Sequence, residues 1–142
     1  MKLQRVIALA PTIWLGICLA QQSTEKFKTR LAPVAMDSSM RISIAGTGSA
    51  SATLSGNRMT IAGTFAGLRS PATAAKIHIG RMTAVRGPAM FDLMVASSTG
   101  GSIEGAFDLT TDQIADLKQG KFYIQIDSEK APEGNLWGWL LR

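Results

Sequence analysis

Side chains that could do chemistry are scarce in this sequence of 142 residues, which contains one histidine, His78, and one cysteine, Cys18. A single cysteine excludes a disulfide scaffold and a multi-cysteine zinc module. A single histidine excludes a metal site built from several histidines of one chain. No serine lies in the Gly-x-Ser-x-Gly pattern of a hydrolase nucleophile. We therefore predict that the chain is not an enzyme and uses no cofactor.

The first candidate site is a polar patch carried by two segments that alternate like half-buried strands. Alternation places Lys76 and His78 on one face of the first segment, and Gln125 and Asp127 on one face of the second. If the strands are neighbours, the patch is either a degenerate metal or small-ligand site using His78 and Asp127, or a cross-strand ion pair between Lys76 and Asp127. Because a lysine ammonium has no lone pair to offer a metal, we favour the ion pair, with His78 hydrogen-bonded beside it, and predict no bound metal.

The second candidate site is a pair of tryptophans near the C-terminus. Trp137 and Trp139 lie on one face of the last alternating segment, and Leu136 and Leu140 lie on the other. Apolar residues on both faces predict a strand that is buried on both sides. The alternative is an aromatic platform for a sugar or a protein partner, because tryptophan is favoured in binding hot spots.

The charge of the chain is positive but dispersed. Basic residues outnumber acidic residues by 15 to 10, and the formal net charge is +5. The one basic cluster beyond the N-terminal leader consists of Lys26, Lys28 and Arg30. Because nucleic-acid-binding domains concentrate their basic residues in larger patches, we predict a solvated surface and no nucleic-acid partner.

Residues 1–20 have the pattern of a secretory signal peptide. Lys2 and Arg5 precede the apolar run Val6–Leu19, which polar residues follow. The run is shorter than the roughly 20 residues of a membrane span, and Pro11 interrupts it. We therefore predict export to a periplasm or to the cell exterior.

Two processing sites are compatible with this leader. Cleavage after about Ala20 is favoured, because a small residue there precedes polar glutamines. Lipid attachment at Cys18 is less favoured, because the residue in front of it, Ile17, is large. Cleavage after Ala20 would leave a mature chain with no cysteine and no membrane span.

The remaining chain is predicted to be all-β. Residues 21–39 form a polar segment that is partly packed through Phe27 and Leu31, and residues 27–142 form a single β domain. Period-two alternation predicts about seven to nine short strands in an antiparallel sandwich or barrel. The predicted strands beyond that first segment are Arg41–Ala45, Ser49–Leu54, Arg58–Ala66, Ala75–Ile79, Ala89–Val95, Ser102–Leu109, Phe122–Asp127 and Asn135–Leu141.

One short helix is predicted near residues 111–118. Thr110 and Gln113 have the spacing of a capping box, Ile114 and Leu117 face one way, and Gly120 ends the helix. A helix of about two turns is not stable alone, so we expect it to cover an open end of the β-structure.

Several stretches, taken in order, resemble the CHRD domain, the module named after chordin. The resemblance implies an extracytoplasmic protein with an immunoglobulin-like β-structure, and it covers the chain from about Phe27 to the C-terminus. Bacterial members are small exported proteins without a settled activity. The matching stretches are Ala52-Thr53-Leu54 with Gly56-Asn57, Ile61 through Leu68, Ala74 through Gly80, Gly87-Pro88, Leu109 through Gly120, Phe122 through Ile126, and Pro132 through Leu136 with Gly138 and Leu140.

The departures from the family pattern weaken one of its implied sites. Family members usually carry His-Ile-His where this chain has Lys76-Ile77-His78, and a histidine where it has Asp127. A three-histidine pattern has thus been reduced to His78. We predict a non-catalytic binding or structural module for an unknown extracytoplasmic protein or glycan. The alternatives are a periplasmic metal-handling protein using His78 and Asp127, and carbohydrate binding through Trp137 and Trp139.

Overall fold

A computed structural model describes residues 23–142, and within them the alternating segments form eight antiparallel strands, accompanied by one α-helix. The all-β prediction with seven to nine strands and one short helix is confirmed. The elements are β1 (Thr24–Pro33), β2 (Thr47–Ser55), β3 (Arg58–Ala66), β4 (Ala72–Ile79), β5 (Ala89–Val95), β6 (Gly101–Asp108), α1 (Thr111–Lys118), β7 (Phe122–Ser128) and β8 (Ala131–Trp139).

The strands close into a barrel in the order β1-β2-β3-β6-β5-β4-β7-β8, so the pairing corresponds to the barrel rather than the sandwich of the two predicted arrangements. Eight strands leave an interior just wide enough for side chains to fill. Every strand contributes buried residues to one hydrophobic core, among them Phe27, Ile61, Ile77, Ile124 and Leu136. Side chains of the opposite parity point outward, and the candidate site is built from them.

The helix α1 begins at its predicted capping box and packs against the core. The Thr110 hydroxyl accepts a hydrogen bond from Gln113 N, and the Gln113 side chain accepts one from Thr110 N, which completes the capping box. Leu117 is fully buried in the core. At the other end Lys118 lies 3.1 Å from Glu25 on β1, and its hydrogen bond lowers the pKa of that carboxyl.

The predicted strand Arg41–Ala45 is wrong. The Asp37 carboxylate accepts hydrogen bonds from the backbone N–H groups of Ser39 and Met40, at 2.9 and 3.1 Å, and this turn leads into a short 3-10 helix over Met40–Ile42. Hydrogen bonds from the Ser39 hydroxyl and these amides lower the pKa of Asp37. A local side-chain-to-backbone turn has therefore overridden an alternating pattern.

The predicted signal peptide, residues 1–20, and Cys18 within it lie outside the described residues. Between residues 23 and 142, no helix is long and apolar enough to cross a membrane.

Candidate functional site

The two predicted sites form one surface on the outer side of β4, β7 and β8. Strand pairing places His78 opposite Tyr123, and Tyr123 opposite Trp139. The next row pairs Lys76 with Gln125, and Gln125 with Trp137. The polar patch around His78, which we now call the histidine patch, and the tryptophan pair are far apart in the sequence. In the fold they lie in adjacent rows across the same three strands.

The aromatic rings of these rows stack on one another; we call His78, Tyr123, Trp137 and Trp139 the aromatic face. The Tyr123 ring is 4.9 Å from the His78 ring and 4.7 Å from the Trp139 ring, centroid to centroid. The Trp137 ring meets the Trp139 ring edge-on at 5.0 Å. Tyr123 is buried at the centre, whereas His78 and both indoles are half-buried. Ring packing of this kind adds stability beyond the area that it buries.

The connection between β4 and β5, residues 80–88, is held on this face by Gly87. The Gly87 carbonyl accepts hydrogen bonds from the Tyr123 hydroxyl at 3.0 Å and from His78 Nδ1 at 2.9 Å. The Gly87 N–H lies 3.0 Å from the same tyrosine oxygen. These contacts fix residues 80–88, which we call the Gly87 loop, over the buried tyrosine.

The Gly87 loop places a cation on the tryptophan pair. The Arg86 guanidinium lies 4.8 Å from the centre of the Trp137 ring, within cation–π range. Arg86 Nη2 also lies 3.5 Å from the Glu133 carbonyl oxygen on β8. Trp137 therefore presents a half-buried indole with a planar cation stacked on it.

The predicted Lys76–Asp127 ion pair is wrong. Lys76 lies directly opposite Asp92 of β5, and the two side chains form an ion pair at 3.8 Å. Asp127 lies opposite Ala74, one row away, and accepts a hydrogen bond from Gln125 Nε2 at 2.9 Å. The pairing of strands in the barrel determines that Lys76 forms its ion pair with Asp92 and not with Asp127, and alternation alone does not specify this pairing.

A cleft opens beside Trp137, with a volume of about 400 Å³. Its walls come from the segment Val34–Ile44 on one side, and from Arg86, Lys130 and the start of β8 on the other. Trp137 does not line the cleft itself but packs against Val34, Ile44 and Ala131, which do. The volume lies within the range of small-ligand sites, and the walls combine apolar and polar groups. The polar and charged lining residues are Ser39, Ser43, Arg86, Lys130 and Glu133.

The metal hypothesis rests on His78 as its single imidazole. His78 Nδ1 is engaged with the Gly87 carbonyl, and its Nε2 is buried without a hydrogen-bond partner among the described residues. Across residues 23–142, no three histidine, cysteine, aspartate or glutamate side chains are grouped so that they could hold a metal ion. The described part of the chain thus offers His78 no set of co-ligands.

We expect zinc or copper ions to leave the thermal unfolding midpoint unchanged. Differential scanning calorimetry of the purified protein, with increasing metal and with a chelator as the reference, would measure this. A saturable rise in the midpoint that His78→Ala removes would contradict the expectation, since metal binding to the folded state stabilises it. Gln125→Ala, in the adjacent row, is the control for non-specific binding.

Sequence reasoning missed three contributors to this surface. Tyr123 has the right parity but gives no sign of its central position, which depends on the neighbours of β7. Arg86 and Gly87 lie in a connection without periodicity, where the Gly87-Pro88 pair signals only a turn. Their contribution arises because the loop folds back over the barrel wall.

A sequence model of the CHRD domain matches residues 31–140. Comparison with curated proteins and with solved structures found no match.

Proposed function

The chain belongs to the CHRD-domain family, and from this premise we propose that it is a non-catalytic binding module exported to the periplasm or the cell exterior. The pattern of residues 1–20 supports the export. The ligand would dock in the cleft beside Trp137. One observation carries the binding proposal: a half-buried indole that has the Arg86 guanidinium 4.8 Å from its centre and packs against residues lining a cleft of about 400 Å³.

A carbohydrate is the ligand class that this chemistry fits best. The half-buried Trp137 indole offers an apolar surface to a sugar ring, and Ser39, Ser43 and Lys130 of the cleft offer polar groups to its hydroxyls. The cleft is large enough for a short oligosaccharide. Glu133 is the one carboxylate among the described residues that line it, whereas glycoside hydrolysis usually employs two. That count supports binding without catalysis.

A protein partner is the second candidate, because the segment Val34–Ile44 beside the cleft carries exposed apolar side chains, of which Met40 lines the cleft itself. Met36, Met40 and Ile42 are 40, 37 and 79% exposed. Apolar side chains beside an aromatic and an arginine resemble the composition of protein-binding surfaces. A glycan array followed by affinity capture from the exported compartment separates the two candidates.

We expect Trp137→Leu to weaken binding of an array-identified glycan at least about tenfold, equal to about 1.4 kcal/mol. Trp139→Leu is the matched control, because it removes the neighbouring indole of the same aromatic face, whereas the Arg86 stack and the packing against the cleft residues Val34, Ile44 and Ala131 belong to Trp137. It should change affinity less than about threefold. Isothermal titration calorimetry of both variants measures this. Equal losses in the two variants, or no glycan bound by the parent protein, would contradict the carbohydrate proposal.

A further inference from the structure

A second surface, on the outer side of β1 and β2, combines cations with hydroxyl groups. Lys26, Lys28 and Arg30 alternate along β1, and all three are exposed. Because the rise is about 3.4 Å per residue, successive cations originate about 7 Å apart on a straight line. Between residues 23 and 142, no carboxylate forms an ion pair with any of them. The row therefore presents unneutralised positive charge.

Strand pairing places a hydroxyl beside each cation. Lys26 pairs with Thr53, Lys28 with Ser51 and Arg30 with Ser49, and all three hydroxyl-bearing residues are on β2. We call these six residues the cation–hydroxyl face. Each of its three cross-strand pairs places one positive charge beside one hydroxyl group that can donate or accept a hydrogen bond.

A shallow groove of about 560 Å³ lies beside this face and is lined in part by its residues Lys28, Ser49 and Ser51. Lys28 lies on one side and Glu104 of β6 on the other. The outward residues between them are small, for example Ser51, Ala62 and Thr64, so the side chains at the rims project beyond the middle. The groove is open along its length, which suits an extended chain rather than a compact small molecule.

We infer that the cation–hydroxyl face binds an extended anionic polysaccharide, such as a chain of uronic acids. A linear row of unpaired cations is complementary to a polymer with regularly spaced carboxylates, and the adjacent hydroxyls match the hydroxyls of its sugars. Single-stranded nucleic acid is the weaker fit, because its bases stack on aromatic rings and the groove between β1 and β6 is lined by small, hydroxyl-bearing and charged side chains. The inference is independent of the cleft beside Trp137, which shares no lining residue with this face.

The test uses the full chain as expressed and purified, with oligogalacturonate of defined length as the probe. The β1 variant carries Lys26→Gln, Lys28→Gln and Arg30→Gln. We expect it to bind the probe about tenfold more weakly at low ionic strength, because three screened surface contacts of modest strength are lost together. Binding by the parent protein should also weaken strongly toward about 1 M salt, where the Debye length falls to about 3 Å.

The control variant removes the same charge elsewhere, through Arg41→Gln, Arg69→Gln and Arg81→Gln, which are exposed positions outside β1 and β2 that do not line the groove. It should change affinity less than about twofold if position rather than net charge matters. Glu104→Gln should increase affinity, because it removes a repelling carboxylate from the far rim of the groove. Circular dichroism verifies that every variant remains folded.

Three results would overturn the inference. Equal weakening in the two triple variants would show that net charge alone attracts the probe. No binding of oligogalacturonate by the parent protein at low salt would show that the face is an ordinary solvated surface. Tighter binding of single-stranded oligothymidine than of oligogalacturonate would assign the face to single-stranded nucleic acid instead. Because Trp137→Leu leaves this face intact, a failure here is distinguishable from a failure of the cleft proposal.

Discussion

The Gly87→Ala variant should have a free energy of unfolding about 3 kcal/mol or more below that of the parent protein. A Cβ atom at this position would lie 1.8 Å from the Ile79 carbonyl oxygen and 2.7 Å from the Ile79 carbonyl carbon. Both atoms belong to the backbone of β4, so neither can rotate away. The Gly87 loop must move instead, and the hydrogen bonds of Gly87 to Tyr123 and His78 are then broken.

This substitution should also affect the cleft, because Arg86 precedes the glycine directly. A displaced loop takes the guanidinium away from the Trp137 ring, so tryptophan fluorescence and ligand affinity should change together with stability. Urea unfolding, with the slope compared between variants, measures the stability loss. An unfolding midpoint equal to that of the parent would contradict the proposed attachment of the loop through Gly87.

Ala84→Gly is the matched control in the same loop, with the two residue types exchanged. Ala84 has a φ of 69°, in the left-handed region that favours glycine. Glycine there relieves about 1 kcal/mol of backbone strain in the folded state. It also stabilises the unfolded chain by a similar free energy, because glycine gives that chain more conformational freedom, so the two effects oppose each other. Its stability should therefore remain within about 0.5 kcal/mol of the parent. A large loss in this variant would show that the loop is sensitive to any change, not to the contact of Gly87.

Tyr123→Ala should lower the free energy of unfolding by about 3–5 kcal/mol. Tyr123 is 1% exposed and contacts three other rings, so its removal leaves a cavity at the centre of the aromatic face. Tyr123→Phe keeps the ring and removes the hydroxyl, which leaves the Gly87 N–H without its acceptor. We expect that loss to be about 1–2 kcal/mol. If the two variants were equally destabilised, hydrogen bonding rather than ring packing would hold this surface.

Phe122→Ala separates the local from the global effect of Tyr123→Ala. Phe122 is fully buried on the opposite face of the same strand, within the barrel core. Its removal should cost a similar amount of stability but leave the Gly87 loop in place. Tryptophan emission of the folded state should therefore shift in Tyr123→Ala and remain unchanged in Phe122→Ala. A shift of equal size in both variants would contradict the specific role of Tyr123.

Local patterns predicted most of the secondary structure. The predicted strands Arg58–Ala66 and Ala89–Val95 have the bounds that the structure shows, because one buried face imposes a period of two on the sequence. The helix could be predicted equally well from the sequence, since its capping box lies within four consecutive residues. Arg41–Ala45 failed because alternation over five residues is weak evidence against a local turn stabilised by Asp37.

The candidate site depends on relations between distant segments. Alternation placed Lys76, His78, Gln125 and Asp127 on the outer faces of their strands, but it contains no information on which residues face each other across a pair. The barrel register gave Lys76 the partner Asp92 and put Gln125 next to Trp137. Pairing between strands is set by the packing of the whole core, which no single segment encodes.

Residue types and spacing alone show that histidine and cysteine are scarce and that the chain resembles a known family. They also show that the candidate residues of each strand share one face. The tertiary structure alone decided that the histidine patch and the tryptophan pair form one surface, with Arg86 stacked on it. It also aligned the basic cluster of β1 with the hydroxyls of β2. The physical reason is the same in both cases: side-chain direction follows from the local backbone, whereas proximity follows from closing the barrel.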